Sequence, residues 1–150
     1  MERKKAPLAL RSQVDTIEEW NAILGRPGLV IVDVYSNWCG PCIAMVSTLS
    51  KVKMEIGGDT LSYAVAKNDE IDALERFRGK SEPVWMFIQN GQMVNLIFGA
   101  NCPKLKKALI EEIRRVKQDE PPEWSLPVTQ RGPKEEERWK KKEAIRNLQI

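Results

Sequence analysis

No histidine occurs among the 150 residues, and cysteine occurs only three times. The absence of histidine removes the commonest general base and the commonest zinc ligand from any mechanism. An odd, small number of cysteines argues against a disulfide-stapled secreted scaffold. It fits a reducing compartment, where a close cysteine pair is more often catalytic or metal-binding.

Long apolar runs are absent as well. No stretch reaches the roughly 18 residues that a membrane-spanning helix needs, so we expect no membrane segment. The basic start of the chain is interrupted by Arg11 and Gln13 instead of leading into an apolar signal core, which predicts a cytoplasmic protein. The net charge of +3 forms no basic field, so we expect no nucleic-acid partner.

The apolar pattern predicts an α/β domain over residues 1–116. Segments typical of strands and helices follow one another in the order β-α-β-α-β-α-β-β-α. The predicted strands cover 8–14, at an edge of the sheet, then 29–35, 61–66, 84–89 and 92–98. Asn90-Gly91 is a strong hairpin signal between the last two strands. A βαβ half followed by a ββα half predicts a mixed central sheet with helices on both faces.

Capping residues predict where the first helix begins. Thr16 and Glu19 have the spacing of a capping box, in which each side chain accepts a hydrogen bond from the backbone N–H of the other residue. The inward face of this helix is assigned to Ile17, Trp20 and Leu24, which recur at helical spacing.

Two further helices are predicted later in the domain. Residues 68–79 predict a short helix in which Ile71, Leu74 and Phe77 face inward. Asn101 is the expected N-cap of the last helix of the domain, because its short amide side chain can accept a hydrogen bond from the first turn.

The composition changes after residue 116. Residues 117–133 contain four prolines and predict an extended linker. Residues 134–150 predict a charged helical tail that is too short and too polar to be stable alone. Trp124 and Trp139 make this C-terminal extension a candidate docking segment for a partner protein, since tryptophans dominate small interfaces. The alternative is a solvated, disordered end.

The chemistry is concentrated in the segment Trp38-Cys39-Gly40-Pro41-Cys42, which follows a buried strand and begins a predicted helix. A thiolate attacks disulfides, and the free N–H groups of a helix N-terminus stabilise its negative charge. Gly40 and Pro41 shape the turn that brings the two sulfurs together. Cys39, at the exposed end, is the expected attacking residue, and Cys42 is expected to resolve the mixed disulfide.

Each of these candidates has a structural alternative. The cysteine pair could be half of a zinc site, but no second pair and no histidine can complete one, so we expect no metal. Trp38 is expected to form a wall of the substrate surface, with plain packing as the alternative. Asp33 lies in so apolar a strand that a functional buried acid is favoured over a charged strand end. Cys102 is expected to be a partly buried first-turn residue, with a regulatory or intermolecular role as the alternative.

The segment VIVDVYSNWCGPC at residues 30–42 resembles the active-site segment of the thioredoxin family, and the resemblance covers about residues 8–116. It implies a thioredoxin fold, protein disulfides as substrates and no cofactor. By position, Asp33 inherits the role of the buried acid that accepts the proton of the deeper cysteine. Pro83 occupies the place of the cis-proline that guides the substrate backbone, and Gly99 the place of a glycine that lets a substrate approach.

Two residues depart from the family pattern. Ile43 stands where typical thioredoxins carry a lysine, and Glu82 precedes the proline where they favour a small or aliphatic residue. A carboxylate at position 82 is expected to add negative charge beside the cysteines, to oppose thiolate formation and to repel acidic substrates. The substrate surface is therefore not expected to be that of a general-purpose thioredoxin.

The segments at 64–92 and 97–113 resemble a narrower group, the thioredoxin domains of ciliary and sperm-flagellar proteins. This group includes thioredoxin-type light chains of outer-arm dynein and thioredoxin-like proteins fused to nucleoside-diphosphate-kinase domains. Glu82-Pro83 and Gly99-Ala100-Asn101 with Pro103 carry the resemblance. We expect no kinase domain here, because the chain ends at Ile150.

This resemblance implies a thioredoxin-like subunit of the ciliary or flagellar axoneme, with a dynein heavy or intermediate chain as partner and thioredoxin reductase as a further partner. One alternative is a freestanding cytosolic protein-disulfide reductase. Another is a structural adaptor with a thioredoxin fold, in which the cysteines are idle.

Overall fold

A computed structural model describes residues 11–36, 45–79 and 82–148. Its strands are β1 (Arg11–Val14), β2 (Leu29–Tyr35), β3 (Leu61–Lys67), β4 (Val84–Gln89) and β5 (Gln92–Phe98). Its α-helices are α1 (Ile17–Leu24), α2 (Val46–Val52), α3 (Cys102–Lys117) and α4 (Pro133–Leu148). A π-helical turn, Lys53–Gly57, continues α2, and short 3₁₀ turns occupy Gly58–Thr60, Asn68–Glu70 and Asp72–Phe77.

The strands form one five-stranded sheet in the order β1-β3-β2-β4-β5. β3 pairs in parallel with both β1 and β2, whereas β4 runs antiparallel to β2 and β5 antiparallel to β4. The predicted mixed sheet and the edge position of the first strand are thus confirmed. The hairpin is confirmed too: Asn90 and Gly91 have φ of 54° and 77°, the left-handed conformations that a tight two-residue turn requires.

β2 lies in the middle of the sheet and separates two hydrophobic layers. Its residues alternate, so that Val30, Val32 and Val34 pack into a cluster with α1, while Leu29 and Ile31 pack into a second cluster with α2 and α3. Every residue of β2 except Tyr35 is buried. A near-continuous apolar sequence is what a strand covered on both faces needs.

The first helix begins as predicted. Thr16 Oγ1 accepts a hydrogen bond from the Glu19 backbone N–H, and Glu19 Oε1 accepts one from the Thr16 N–H. Its inward face differs in one position: Ile17 is 43% exposed, and Ile23 joins Trp20 in the core. The assignment of Ile17 was wrong because the helix turns its later residues, rather than its first turn, toward the sheet.

The short helix predicted at 68–79 is wound more tightly than expected. It consists of two 3₁₀ turns, Asn68–Glu70 and Asp72–Phe77, separated by Ile71. The three residues predicted to face inward, Ile71, Leu74 and Phe77, are all buried. Their spacing satisfies a 3₁₀ turn as well as an α-helix, so the apolar pattern alone does not separate the two.

The proline-rich segment after α3 lies along the edge strand β5. Leu126 and Met93 exchange two backbone hydrogen bonds of 2.8 and 2.9 Å. Val128 is buried in the same core cluster as Trp20, and Trp124 packs against that cluster. This segment covers part of an otherwise open sheet edge, which lowers the tendency of that edge to pair with other chains.

The predicted C-terminal helix is present as α4, and no residue of it is buried. Trp139, Ile145 and Leu148, its large apolar residues, are 41%, 57% and 86% exposed. The helix is attached to the domain by side-chain contacts. Among the described helices, none has the length and apolar content needed to cross a membrane.

Candidate functional site

Five of the predicted site residues, Trp38, Cys39, Gly40, Pro41 and Cys42, lie outside the described residues. The structure does describe the chain on both sides of them: β2 with Ser36 before, and Met45 with α2 after. It also describes the other predicted site residues, which are Asp33, Glu82, Pro83, Gly99, Trp124 and Trp139.

Asp33 is fully buried in β2, as predicted. It lies opposite Val65 of β3 and Trp85 of β4. These two neighbours belong to the core cluster formed with α2 and α3, and the alternation of β2 places Asp33 on the same face as Ile31 of that cluster. A carboxyl at such a buried position is costly to keep, as is expected of a functional acid. The role of Asp33 as proton acceptor stays a prediction.

The helix that follows the cysteine segment packs on this same face. Met45 directly precedes α2 and is fully buried, and Leu49 and Val52 of α2 are buried beside it. The acid and the helix that follows the cysteine segment in the sequence thus share one layer of the molecule. This shared layer is the arrangement that proton transfer between Asp33 and Cys42 would require.

Pro83 and Gly99 lie at the ends of neighbouring strands. The Gly99 N–H donates a hydrogen bond of 2.8 Å to the Pro83 carbonyl, which joins the start of β4 to the end of β5. Gly99 has φ of 95°, a left-handed conformation that favours glycine. A Cβ at this position would meet no atom within 4 Å among the described residues.

The bond before Pro83 differs from the expected geometry. No cis peptide bond occurs in the described ranges, so the Glu82–Pro83 bond is trans, whereas the family resemblance implies cis. The expectation of a cis-proline is therefore not met. The trans form is the lower-energy isomer of an X–Pro bond, by about 0.5–1 kcal/mol.

Glu82 has a partner that the sequence pattern did not indicate. Arg138 Nη2 of α4 donates a hydrogen bond of 2.7 Å to Glu82 Oε1. The same guanidinium lies 4.0 Å from the centre of the Phe98 ring. The carboxylate therefore carries its own counter-ion. An arginine from the tail thus offsets the negative charge that the sequence predicts at this position, and the effect of Glu82 on the thiols stays a prediction.

A second ion pair fixes the beginning of α4. Arg76 Nε lies 2.6 Å from Glu135 Oε2, and both side chains are less than one-fifth exposed. Arg76 also donates hydrogen bonds to the carbonyls of Val128 and Gln130, at 2.7 and 2.9 Å. One arginine of the domain thus holds both the extended segment and the helix of the tail.

A cavity of about 330 Å³ lies between α4 and the domain. Its lining combines apolar side chains with five basic and two acidic ones. The acidic residues are the paired Glu82 and Glu135. Since Glu82 and Phe98 directly precede Pro83 and Gly99 in the chain, the cavity adjoins the predicted substrate surface.

Trp124 and Trp139 have different surroundings. Trp124 packs against the domain core, and a side chain at Gly132 would collide with its ring. This packing covers part of the Trp124 ring, and its docking role stays a prediction. Trp139 is 41% exposed, with the Arg131 guanidinium 4.2 Å from its ring centre.

Cys102 is the first residue of α3 and is partly buried, as expected. Its Sγ lies 3.0 Å from Met45 Sδ, so the start of α3 contacts the chain directly after the cysteine segment. Asn101 caps this helix: its Oδ1 accepts a hydrogen bond of 3.1 Å from the Lys104 N–H. In the part of the chain that the structure describes, no cluster of three metal-ligating side chains occurs.

Glu112 was not anticipated from the sequence. It is buried on α3 and accepts a hydrogen bond of 3.2 Å from Asn95 Nδ2 of β5. Burial raises the pKa of its carboxyl above the ordinary value, against the attraction of Arg115. Its position at helical spacing from Leu105 and Leu109 was the only signal available, and a charged residue at such a position is usually taken as solvated.

The thioredoxin family model matches residues 11–114. Curated relatives include human thioredoxin domain-containing protein 6, 40% identical over 78% of this chain and 36% of that protein. The homologue from Xenopus laevis is 43% identical over 75% of this chain and 18% of that protein. Human thioredoxin domain-containing protein 3 is 40% identical over 77% of this chain and 20% of that protein. The chain thus spans about a third or less of the length of these relatives.

Solved thioredoxin structures have the same fold. Plasmodium falciparum thioredoxin superposes with a TM-score of 0.54 at 26% identity, covering 67% of this chain and 97% of that one. Mitochondrial thioredoxin 3 from Saccharomyces cerevisiae superposes with a TM-score of 0.56 at 22% identity, covering 70% of this chain and 98% of that one. In both cases the match leaves about a third of this chain uncovered. The chain belongs to the thioredoxin family.

Proposed function

We propose that this protein is a thioredoxin-type protein-disulfide oxidoreductase of the ciliary or flagellar axoneme, bound to the outer dynein arms. The observation that carries the redox part is the burial of Asp33 on the face covered by α2, the helix that follows Cys39 and Cys42. The location is supported by the sequence resemblance to ciliary thioredoxin domains. It is also supported by the similarity to thioredoxin domain-containing proteins 6 and 3.

The proposed reaction transfers two electrons from the dithiol to a substrate disulfide. The Cys39 thiolate attacks one substrate sulfur, a mixed disulfide forms, and the other substrate sulfur leaves as a thiolate. Asp33 accepts the proton of Cys42. The resulting Cys42 thiolate attacks the Cys39 sulfur, which releases the second substrate sulfur and leaves a Cys39–Cys42 disulfide. Thioredoxin reductase returns this disulfide to the dithiol.

Insulin reduction coupled to thioredoxin reductase and NADPH tests the chemistry. We expect turnover by the full chain and its loss in Cys39→Ser, because the attacking sulfur is gone. Asp33→Asn should retain the fold and slow the release of the mixed disulfide, because the amide cannot take up the proton. Absence of turnover in the intact protein would contradict the oxidoreductase and favour a redox-idle adaptor.

Extraction of isolated axonemes with high salt tests the location. We expect the protein to leave the axoneme in the fraction that contains the outer-arm dynein chains and to sediment with them. A protein found only in the soluble cytosol would contradict the axonemal proposal and favour a freestanding reductase. The two experiments are independent, since turnover does not require dynein and extraction does not require the thiols.

A further inference from the structure

Helix α4 turns a charged stripe toward its own domain. Residues 135, 138, 139, 142 and 146 recur at helical spacing and all line the cavity of about 330 Å³. A helix that packs for stability places apolar residues on such a stripe. Here the stripe holds one acidic, three basic and one aromatic side chain, and no residue of the helix is buried. A space remains where a packed interface would otherwise be.

The two carboxylates at this cavity are already paired. Glu135 is bound to Arg76 at 2.6 Å and Glu82 to Arg138 at 2.7 Å. Five basic side chains line the cavity against these two acids. Two of the remaining three, Arg131 and Arg146, pair with Glu136 and Glu143, which lie outside the lining. Lys142 forms no ion pair with any residue in the described ranges. The cation of Lys142 is thus left uncompensated, and it favours an anionic occupant in the cavity.

The arginines are oriented by aromatic rings. The Arg138 guanidinium lies 4.0 Å from the centre of the Phe98 ring and the Arg131 guanidinium 4.2 Å from that of Trp139. Such contacts fix the plane of a guanidinium, and its N–H groups donate within that plane. Oriented guanidinium groups suit carboxylates, which accept two parallel hydrogen bonds.

The same cavity has apolar walls, formed by Phe77, Val84 and Phe98. A purely ionic ligand would leave these walls uncovered, whereas a peptide can place an apolar side chain against them and carboxylates against the basic rim. The neighbouring predicted exchange site acts on proteins. Both observations favour a polypeptide over a nucleic acid.

We propose that this cavity, together with Lys142 and Arg146, binds an acidic segment of the disulfide-bearing substrate protein. The inference rests on the proposed function and names its substrate class. It differs from the repulsion of acidic substrates expected from Glu82 alone, because Arg138 neutralises that carboxylate and Lys142 adds a cation at the same cavity. Substrate proteins with glutamates and an apolar residue near the disulfide are then held at the cavity that adjoins Pro83 and Gly99.

The test uses the full chain and a short fluorescein-labelled peptide in which several glutamates flank one phenylalanine. Binding is followed by fluorescence anisotropy. Control peptides carry glutamine in place of each glutamate. We expect the acidic peptide to bind more tightly than the glutamine peptide, and its affinity to fall as salt rises from about 0.05 M to about 0.3 M.

Two double variants locate the binding. Lys142→Gln with Arg146→Gln removes two charges from the cavity, and Lys140→Gln with Lys141→Gln removes two from exposed positions outside its lining. We expect affinity to fall roughly fivefold in the first and by less than about twofold in the second, since partly exposed ion pairs contribute modestly. Circular dichroism checks that both retain their helix.

Three outcomes would overturn the inference: equal affinity for the acidic and glutamine peptides, equal losses in the two double variants, or tighter binding of a single-stranded oligonucleotide of the same charge. Cys39→Ser separates this proposal from the proposed function. It should keep peptide binding unchanged while insulin reduction is lost. An intact chain that binds the peptide but reduces no insulin would contradict the chemistry and leave the docking surface standing.

Discussion

The carboxylate of Glu82 and the guanidinium of Arg138 lie 2.7 Å apart, although 56 positions separate them in the chain. This contact ties the C-terminal helix to the strand end where the predicted substrate surface lies. It also changes the charge of that surface, since one cation from the tail neutralises the one acid that departs from the family pattern.

A double-mutant cycle measures this contact. Glu82→Gln should lower the free energy of unfolding by about 0.5 kcal/mol, because both side chains are more than two-fifths exposed and water screens the pair. Arg138→Gln should cost about 1 kcal/mol, because it also loses the contact with the Phe98 ring. The coupling from urea unfolding should be about 0.5 kcal/mol. Lys140→Gln on the same helix is the matched control, and it should show no coupling with Glu82→Gln. Strictly additive effects of Glu82→Gln and Arg138→Gln would refute the pairing.

Two truncations separate the contributions of the tail. Removal of 133–150 takes away α4, which buries no residue, and should cost about 1 kcal/mol of unfolding free energy. Removal of 119–150 also deletes Val128 and Trp124, which exposes the part of the core that they cover, and should cost about 2–4 kcal/mol more. Hydrogen exchange of the Met93 amide should be slow in the first truncation and fast in the second, because Leu126 accepts its hydrogen bond. Equal stability of the two truncations would show that the extended segment does not stabilise the sheet.

Local features of the fold could be predicted from the sequence because the interactions that determine them are local. The capping box of Thr16 and Glu19 and the turn at Asn90-Gly91 involve residues within three positions of each other. The fully buried β2 could be predicted because an apolar strand is needed wherever both faces of a sheet are covered. The Cys39–Cys42 motif was recognised from its spacing and composition.

Long-range contacts of the tail could not be predicted in the same way. The linker prolines indicated an extended segment, and they carried no information that Leu126 would pair with Met93 or that Val128 would be buried. The pairing of Arg138 with Glu82 depends on where α4 lies on the domain. A helix with few apolar residues has no apolar face from which that position could be predicted.

The buried Glu112 predicts a pH dependence of stability. Burial raises the pKa of its carboxyl in the folded protein, against the attraction of Arg115, and the nearby Glu123 and Glu111 raise it further. A carboxyl with a raised folded pKa favours folding when it is protonated. Its stabilising contribution is complete below the unfolded value of 4.5 and is lost as the pH rises through the folded pKa.

Glu112→Gln should therefore stabilise the protein at pH 7 relative to wild type, because the amide remains neutral and its oxygen can still accept from Asn95. The advantage should shrink as the pH falls toward 4.5, where the wild-type carboxyl becomes neutral as well. Unfolding free energies from urea titrations across this range give the comparison. A variant that is less stable than wild type at pH 7, with the gap closing at low pH, would mean that the ionised carboxylate is the favoured form.

Gly99→Ala tests the predicted substrate surface. The added methyl group meets no atom within 4 Å among the described residues, so its cost comes from the φ of 95° and should be about 1 kcal/mol of stability. Because residue 99 is hydrogen-bonded to Pro83 on the predicted substrate surface, the methyl group should raise the KM for protein disulfides several-fold. Gly79→Ala, with φ of 75° and equally open surroundings, provides the matched control for strain. The same rise in KM in both variants would assign the effect to backbone strain.

Trapping of mixed disulfides in ciliated cells tests the central claim most directly. The account predicts that Cys42→Ser accumulates covalent adducts through Cys39, because the resolving sulfur is absent, and that outer-arm dynein chains are among the trapped proteins. Cys42→Ser combined with Cys39→Ser should abolish the adducts. If Cys42→Ser yields no reducible adducts, or traps only proteins that are absent from the axoneme, the proposal of an axonemal disulfide oxidoreductase is contradicted.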